Sequence, residues 1–243
     1  MHHLGNTRSS YQRDHLLLTP DTFVRAPLPG MKSATAVVHA GRATGAGFTQ
    51  YTAEFDASGS FATAIGAQRF VYVLEGSVNL ATASREAPLA PGQYAYVPPP
   101  DSACIKSDSG ARAVIIEKEY LPLNGPPPTY FMGDQRTCAS QLFNGDEAVE
   151  VRTLIPDEPR FDFAVNIMTF LPGGTLPMVE IHVMEHGLLM LEGQGIYRLN
   201  DRWYPVAAGD FIWMAPHCPQ WFGALGKKPA KYLIYKDWNR LQR

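Results

Sequence analysis

A set of turn residues recurs in this chain at a spacing of 117 residues. The tripeptide Leu-Glu-Gly stands at residues 74–76 and again at 191–193, and the same spacing carries Gly92 onto Gly209. The segments between these turns match in kind, as short runs rich in apolar residues. A repeat of this long period indicates a duplicated structural unit. We therefore predict two similar units within the 243 residues of the chain.

Composition predicts that these units are built from strands. The 20 prolines and 21 glycines punctuate short apolar runs, and few windows show the 3.6-residue apolar period of a helix. Many short strands with tight turns are typical of an all-β sandwich or barrel. The Pro-rich residues 121–130 interrupt this pattern, because proline cannot donate a hydrogen bond to a strand ladder.

These features suggest boundaries for the two units. We expect an N-terminal unit at residues 1–124 that begins with an irregular arm of about 30 residues. Residues 125–155 would form a linker and a connecting strand, in which residues 134–143 are a short helical or irregular link. A C-terminal unit would occupy residues 156–243.

Charge and hydropathy exclude several classes of partner. The net charge is -2 with both signs mixed, so there is no basic field for nucleic acid and no cationic face for a membrane. No apolar run approaches the ~20 residues that span a bilayer, and the polar N-terminus lacks a signal-peptide core. Three scattered cysteines suit a reducing compartment. The sequence predicts a soluble cytoplasmic protein with no nucleic-acid or membrane partner.

Residues 174–193 carry the strongest chemical signal. Glu180, His182 and His186 stand at positions i, i+2 and i+6, and two of the seven histidines of the chain are among them. If residues 178–182 form a strand, Glu180 and His182 project from one face, since side chains alternate along a strand. His186 has the same parity and rejoins that face if the chain stays extended. Two imidazoles and a carboxylate that converge in this way are typical of a divalent metal site. The alternative is a pair of half-buried polar histidines on an edge strand.

The repeat predicts that one unit alone binds metal. The aligned pairs are Glu180 with Thr63, His182 with Ile65, and His186 with Arg69. The turn glycines are kept in the first copy, whereas the candidate ligands are not. We therefore expect one metal ion per chain. A buried arginine needs compensation, so we expect Arg69 to pair with a carboxylate or to lie at a subunit contact.

The spacing of residues 174–193 resembles the first motif of the cupin superfamily, and residues 209–220 resemble the second. The ligand order Glu180, His182, His186, Gln220 is similar to that of the bicupin (S)-ureidoglycine aminohydrolases, and residues 181–187 also match that family. The resemblance covers most of the chain and is strongest from about residue 160. It implies two tandem cupin (jelly-roll) barrels, of which the first is degenerate and the second catalytic.

The resemblance also implies a cofactor and roles for individual residues. Mn²⁺ would be held by Glu180, His182, His186 and Gln220, although these ligand types also suit Fe(II), Ni or Zn. The residues that would contact substrate are Tyr197, Gln220, Tyr232 and Lys236. Glu180, Tyr232 and Lys236 would take part in catalysis. The alternatives are a surface amide at Gln220, core aromatics at the two tyrosines and a solvated lysine at 236.

Three further residues near these motifs are expected to be structural. His217 is interpreted as a turn residue at the rim, and Cys218 as a small apolar filler. Glu185 has odd parity relative to the ligands, so we expect it to point outward or to support a ligand from behind.

The function implied by the resemblance is metal-dependent hydrolysis of (S)-ureidoglycine to (S)-ureidoglycolate and ammonia, in purine and allantoin breakdown. The protein would act on a small ureide as a homo-oligomer. Two alternatives from other classes stay open. Two histidines and a carboxylate also hold Fe(II) in cupin dioxygenases, and a bicupin can bind or store a ligand without catalysis.

Overall fold

The structure, a computed structural model, describes residues 6–123 and 125–240 of the chain. Within those residues there are 21 strands, two 3₁₀ turns (Pro20–Thr22 and Arg42–Thr44) and no α-helix. The strands in chain order are β1 (Ser10–Tyr11), β2 (His15–Leu18), β3 (Arg25–Ala26), β4 (Met31–Ala40), β5 (Thr49–Ala62), β6 (Gln68–Gly76), β7 (Val78–Ala81), β8 (Glu86–Leu89), β9 (Gln93–Val97), β10 (Cys104–Ser107), β11 (Ala111–Lys118), β12 (Phe131–Asp134), β13 (Ser140–Phe143), β14 (Asp146–Thr153), β15 (Phe163–Phe170), β16 (His186–Glu192), β17 (Gln194–Leu199), β18 (Arg202–Ala207), β19 (Phe211–Met214), β20 (Gln220–Leu225) and β21 (Ala230–Asp237). The predicted all-β class is confirmed. No helix among these residues is long and apolar enough to cross a membrane.

The chain divides into two compact units. The N-terminal unit comprises residues 24–137, and the C-terminal unit comprises residues 138–240 together with the described arm residues up to Phe23. This grouping differs from the boundaries we expected, in which the arm belonged to the first unit. The arm is also not irregular, because its strand β2 pairs with β19 in the register His15 with Met214. Strand β2 covers an edge of β19 that would otherwise be unpaired, and Leu16 and Leu17 of β2 are buried there.

The N-terminal unit is a curled antiparallel sheet. Its strands are ordered β12-β9-β6-β11-β5-β10-β7-β8, and β4 adds to β5. Alternate side chains of β5 and β11, such as Tyr51, Ala53, Ala113 and Ile115, point into one apolar core. Residues 134–143, which we expected to be a helical or irregular link, contain the last residue of β12, an irregular turn at residues 135–139, and the whole of β13.

The C-terminal unit encloses its core between two sheets. An eight-stranded sheet has the order β1-β2-β19-β16-β21-β15-β14-β13, and a three-stranded sheet has the order β18-β17-β20. The core draws side chains from both sheets, including Leu188 of β16, Tyr197 of β17, Phe222 of β20 and Ile234 of β21. Residues of even number on β16 and β21 therefore face the interior, which fixes the inward face for the site.

The duplicated turns of the sequence adopt the same backbone conformation. Gly76 has φ 68° and Gly193 has φ 72°, both in the left-handed region that favours glycine. A Cβ atom at Gly76 would lie 2.3 Å from the carbonyl oxygen of Gly110, and one at Gly193 would lie 2.4 Å from that of Pro229. Each glycine thus stands at the end of a strand, Gly76 at the end of β6 and Gly193 just after β16, where the backbone of another segment passes close by. This close approach accounts for the repeated Leu-Glu-Gly.

Candidate metal and active site

The two cupin-like segments meet at a backbone bridge. The amide nitrogen of Glu180 donates to the carbonyl oxygen of Gln220 at 2.8 Å, and the amide of Gln220 donates back to Glu180 at 2.9 Å. Residues directly opposite in an antiparallel pair project their side chains to the same side. This bridge is isolated, so the predicted strand at residues 178–182 is wrong. The segment is an extended loop held by β20 rather than part of a ladder.

The two histidines lie beside Glu180. The Nε2 atom of His182 is 3.1 Å from Oε2 of Glu180. The rings of His182 and His186 have centroids 5.2 Å apart. The amide of His217 donates to the carbonyl oxygen of His182 at 2.6 Å, which holds the loop at this point. The structure therefore brings together the three side chains that the spacing singled out.

His186 opens β16 and faces the interior. It stands opposite Met214 on one side and opposite Lys236 on the other. The pKa of His186 is lowered to about 3, chiefly by burial and also by the neighbouring His182 and Lys236. The imidazole is neutral at pH 7, and a neutral imidazole nitrogen is the form that binds metals.

Two buried phenols lie in the same interior. The hydroxyl of Tyr197 donates to Oε1 of Gln220 at 2.9 Å, and that of Tyr232 donates to the sulfur of Met168 at 3.2 Å. Burial raises the pKa of both phenols well above their usual range, and the charge of Glu180 adds to the effect. Both hydroxyls therefore keep their protons and act as donors.

Lys236 lies on the inward face, and its ammonium group contacts an aromatic ring. Its Nζ atom is 4.2 Å from the ring centroid of Trp238. The indole Nε1 of Trp238 in turn donates to Asp157 at 2.6 Å. Burial lowers the pKa of Lys236, whereas Asp157 and Glu180 raise it. Among the described residues, no carboxylate forms an ion pair with this ammonium.

The donor set of this site fits a divalent cation of intermediate hardness. Glu180 and Gln220 supply oxygens, His182 and His186 supply nitrogens, and the set contains no thiolate. Such a set favours Mn, Fe(II), Ni or Zn over soft metals. These four residues are the ones that could hold the ion.

A second cluster of ligand types is tighter but chemically less suited. Among the described residues, the group of three whose ligand atoms all lie within 4.8 Å of one another is Asp14, His15 and Cys218, and the Glu180 set is wider than that. Both ring nitrogens of His15 are already engaged, with Asp14 at 2.8 Å and with the hydroxyl of Tyr204 at 2.9 Å. Burial raises the pKa of the Cys218 thiol to about 12, so it is not a thiolate. We interpret this cluster as a hydrogen-bonded network that ties β2 to the core.

In the N-terminal unit, the position that aligns with His186 holds Arg69, which forms an ion pair. Nε of Arg69 is 2.5 Å from Oε1 of Glu117, and its other nitrogens donate to the carbonyl oxygens of Ala64 and Ala67. The prediction that Arg69 pairs with a carboxylate is confirmed. Arg69 stands opposite Glu117, as His186 stands opposite Lys236. The side chain of Ile65 is 70% exposed. This unit therefore offers no ligand set at the aligned positions.

The three residues expected to be structural behave as such. His217 is exposed with φ 65°, as expected of a turn residue. Cys218 packs in the apolar core. Glu185 is buried, and its Oε2 accepts a hydrogen bond from Trp213 Nε1 at 2.9 Å. Trp238 was not among the residues predicted from the sequence, although its place two residues after Lys236 on an extended segment was a usable signal.

Comparison with known proteins agrees with this description. Residues 166–235 match the family of the Cupin domain. A rice (Oryza sativa subsp. japonica) protein named "Probable (S)-ureidoglycine aminohydrolase" is 43% identical over 240 residues, which cover 97% of this chain and 77% of the relative. The (S)-ureidoglycine aminohydrolase of Arabidopsis thaliana is 42% identical over 238 residues, covering 97% of this chain and 80% of the relative.

A solved structure extends the agreement to the whole fold. A Pseudomonas aeruginosa protein described as glyoxylate induced superposes with a TM-score of 0.89 at 30% identity, covering 98% of this chain and 93% of that one. The predicted architecture of tandem cupin barrels is thereby confirmed. On the evidence of its sequence relatives and its fold, this chain belongs to the (S)-ureidoglycine aminohydrolase family of the cupin superfamily.

Proposed function

We propose that this protein is an enzyme that hydrolyses (S)-ureidoglycine to (S)-ureidoglycolate and ammonia. The observation that carries the proposal is the close grouping of Glu180, His182 and His186. Gln220 is bridged to Glu180, and Lys236 stands opposite His186. Relatives that are 42–43% identical across almost the whole chain bear the name of this activity.

The proposed cofactor is one divalent metal ion per chain, Mn²⁺ by the family resemblance. Glu180, His182, His186 and Gln220 would hold it through two oxygens and two nitrogens. When bound, such an ion supplies positive charge and Lewis acidity beside the reacting atoms. The oxygen of Gln220 already accepts the Tyr197 hydroxyl, and this hydrogen bond orients the amide as a ligand.

Lys236 is the proposed anchor for the substrate carboxylate. Its ammonium sits on the Trp238 ring, and no carboxylate of the described residues forms an ion pair with it. An ammonium in a partly dry site binds a carboxylate through a charge-assisted hydrogen bond. This contact would fix the orientation of the carbon that carries the amine.

Glu180 and Tyr232 are proposed to handle the remaining polar groups. A carboxylate can take a proton from water and return it to a departing nitrogen, and Glu180 is an acceptor inside the ligand set. The Tyr232 hydroxyl, now directed at a sulfur atom, is a donor that can turn to a substrate oxygen at little cost. The reaction breaks one carbon–nitrogen bond and adds the elements of water, so ammonia leaves as the amine is replaced by a hydroxyl.

Two further properties belong to the proposal. None of the three cysteines, all within the described residues, forms a disulfide, which suits the reducing cytoplasm. Homo-oligomerisation is supported by exposed apolar side chains on the segment before β16: Met178, Ile181 and Val183 are 66%, 62% and 49% exposed. Exposed apolar patches often mark protein contacts. Light scattering after size-exclusion chromatography tests this part, with Ile181→Asp as the disruptive variant.

The test is an ammonia-release assay on (S)-ureidoglycine generated in situ. We expect stoichiometric ammonia without oxygen, loss of activity with a chelator, and recovery with Mn²⁺. The variant Gln141→Leu, on the exposed strand β13, is a matched control that should be fully active. A requirement for oxygen would favour the dioxygenase alternative. Binding of the substrate without turnover would favour a ligand-binding protein, and either result would overturn the proposal.

A further inference from the structure

An amide oxygen inside the C-terminal unit lacks a hydrogen-bond partner. Asn166 lies on β15, and its Oδ1 atom is buried without a donor among the described residues. Buried polar atoms are nearly always paired, so each exception needs an explanation. A group that binds there only during function is one such explanation.

Register shows that Asn166 faces the candidate site. Met168, two positions further along β15, and Phe170, four positions further, both belong to the inner core. Side chains alternate along a strand, so Asn166 points to the same interior. It stands directly opposite Ile234 of β21, between the positions that oppose Tyr232 and Lys236. Diagonal neighbours of this kind have Cα atoms roughly 7–8 Å apart, within reach of a small molecule that bridges them.

We propose that Asn166 is a specificity-determining residue whose carboxamide oxygen accepts a hydrogen bond from the terminal NH₂ of the substrate's ureido group. This inference rests on the proposed function and names the part of the molecule that Asn166 recognises. The unpaired atom is an acceptor, so its partner must be a donor. A carboxylate offers no N–H, and Lys236 already provides its counter-charge.

The arrangement of strands favours the ureido group over the amine. The ligand His186 lies on β16, whereas Asn166 lies on β15, with β21 between them. A substrate with its carboxylate at Lys236 and its reacting carbon toward the ligand set directs the departing amine to β16. The ureido arm is then the donor-bearing group that extends toward β15.

Two stable compounds isolate this contact without turnover. N-carbamoylglycine carries the carboxylate and the ureido group, and N-acetylglycine replaces the terminal ureido NH₂ by a methyl group of similar size. We expect metal-loaded wild-type protein to bind N-carbamoylglycine about 10-fold more tightly in calorimetry. A site with a buried acceptor discriminates against the ligand that leaves this acceptor unpaired.

Variants of Asn166 assign the preference to its oxygen. Asn166→Leu keeps the volume and removes the acceptor, so the affinity ratio of the two compounds should fall to about 1. Asn166→Asp keeps an acceptor, so the ratio should stay near that of the wild type, although both anions should bind more weakly. Gln141→Leu, which removes an exposed amide on the same sheet, should leave the ratio unchanged. Thermal unfolding checks that each variant is folded.

The outcomes separate this inference from the proposed function. A full preference for N-carbamoylglycine in folded Asn166→Leu, or a lost preference in Asn166→Asp, would overturn the role of the oxygen. If Asn166→Leu does not fold, the Asn166→Asp result decides alone. A wild-type protein that distinguishes the compounds through Asn166 but releases no ammonia from ureidoglycine would overturn the proposed reaction and leave the binding role intact.

Discussion

The ammonium of Lys236 lies 4.2 Å from the ring centroid of Trp238. The ring is itself held by a 2.6 Å hydrogen bond from its Nε1 to Asp157. A cation over an indole face is stabilised by the ring quadrupole, the more so when it is shielded from water. The aromatic contact thus keeps a charge in a partly buried site while leaving its hydrogen-bonding capacity free for an anion.

Substituting Lys236 tests the proposed carboxylate contact. Lys236→Met keeps the stem and removes the charge, so metal content and fold should survive. A charge-assisted hydrogen bond contributes about 1.5–3 kcal/mol, so kcat/KM should drop by about 10-fold to 150-fold. Lys236→Arg should rescue poorly, because a planar guanidinium is longer and differently hydrated. A fully active Lys236→Met enzyme with unchanged substrate affinity would contradict the role.

Trp238 should act on catalysis through Lys236. Trp238→Leu removes the ring beneath the ammonium, and we expect kcat/KM to fall by roughly 2-fold to 30-fold through loss of about 0.5–2 kcal/mol. Trp238→Phe keeps an aromatic face and should recover part of the loss. When Trp238→Leu is combined with Lys236→Met, the loss in kcat/KM, expressed as a free energy, should be smaller than the sum of the two separate losses. Strict additivity in this double-mutant cycle would show that the ring works independently of the lysine.

Removing a histidine ligand should remove the metal. His182→Ala and His186→Ala each delete one of four donors and little core volume, so both proteins should fold while losing bound metal and activity. Elemental analysis of the wild type should give one metal per chain. Full metal content in His182→Ala would show that the metal binds elsewhere. Two metals per chain would contradict the alignment of the two units.

The ion pair of the N-terminal unit should matter for stability and not for metal binding. Arg69 is buried, and its loss leaves Glu117 and two carbonyl oxygens without their donor. We expect Arg69→Met to lower the free energy of unfolding by about 3 kcal/mol, as for other broken buried pairs. Urea denaturation measures this change. Metal content should stay at the wild-type level, and a loss of metal would contradict a purely structural role.

His39 should make the protein less stable in mild acid. Its ring is buried with Nε2 2.9 Å from the hydroxyl of Thr52, and burial lowers its pKa to about 3. Because this pKa is lowered only in the folded state, the unfolded chain takes up a proton below about pH 6.5, and stability is lost as the pH falls from there toward 3. Between pH 7 and pH 5 this histidine should remove about 2 kcal/mol.

The His39→Gln variant isolates that contribution. Its free energy of unfolding should depend less on pH than that of the wild type, with the difference growing below pH 6.5. Urea titrations of both proteins at pH 7 and pH 5 provide the comparison. An identical loss in both proteins would show that His39 is accessible to protons in the folded state.

The sequence alone determined the duplication, the all-β class and the identity of the candidate ligands. These features are encoded locally. A glycine at a left-handed turn such as Gly76 or Gly193 is required by its own backbone, and the spacing of Glu180, His182 and His186 is a property of one short segment. The strand predicted at residues 178–182 is wrong, because the side-chain pattern there suits either a strand or an extended loop.

Contacts between distant segments were decided by the tertiary structure alone. The Glu180–Gln220 bridge, the pairing of β2 with β19 and the direction of the unpaired Asn166 oxygen depend on the register between segments separated by many residues. Register is set by the packing of whole sheet faces, which the alternation within one strand does not specify. The contact of Lys236 with Trp238 is local by comparison, since the two residues are two positions apart, but the hydrogen bond that holds the indole comes from the distant Asp157.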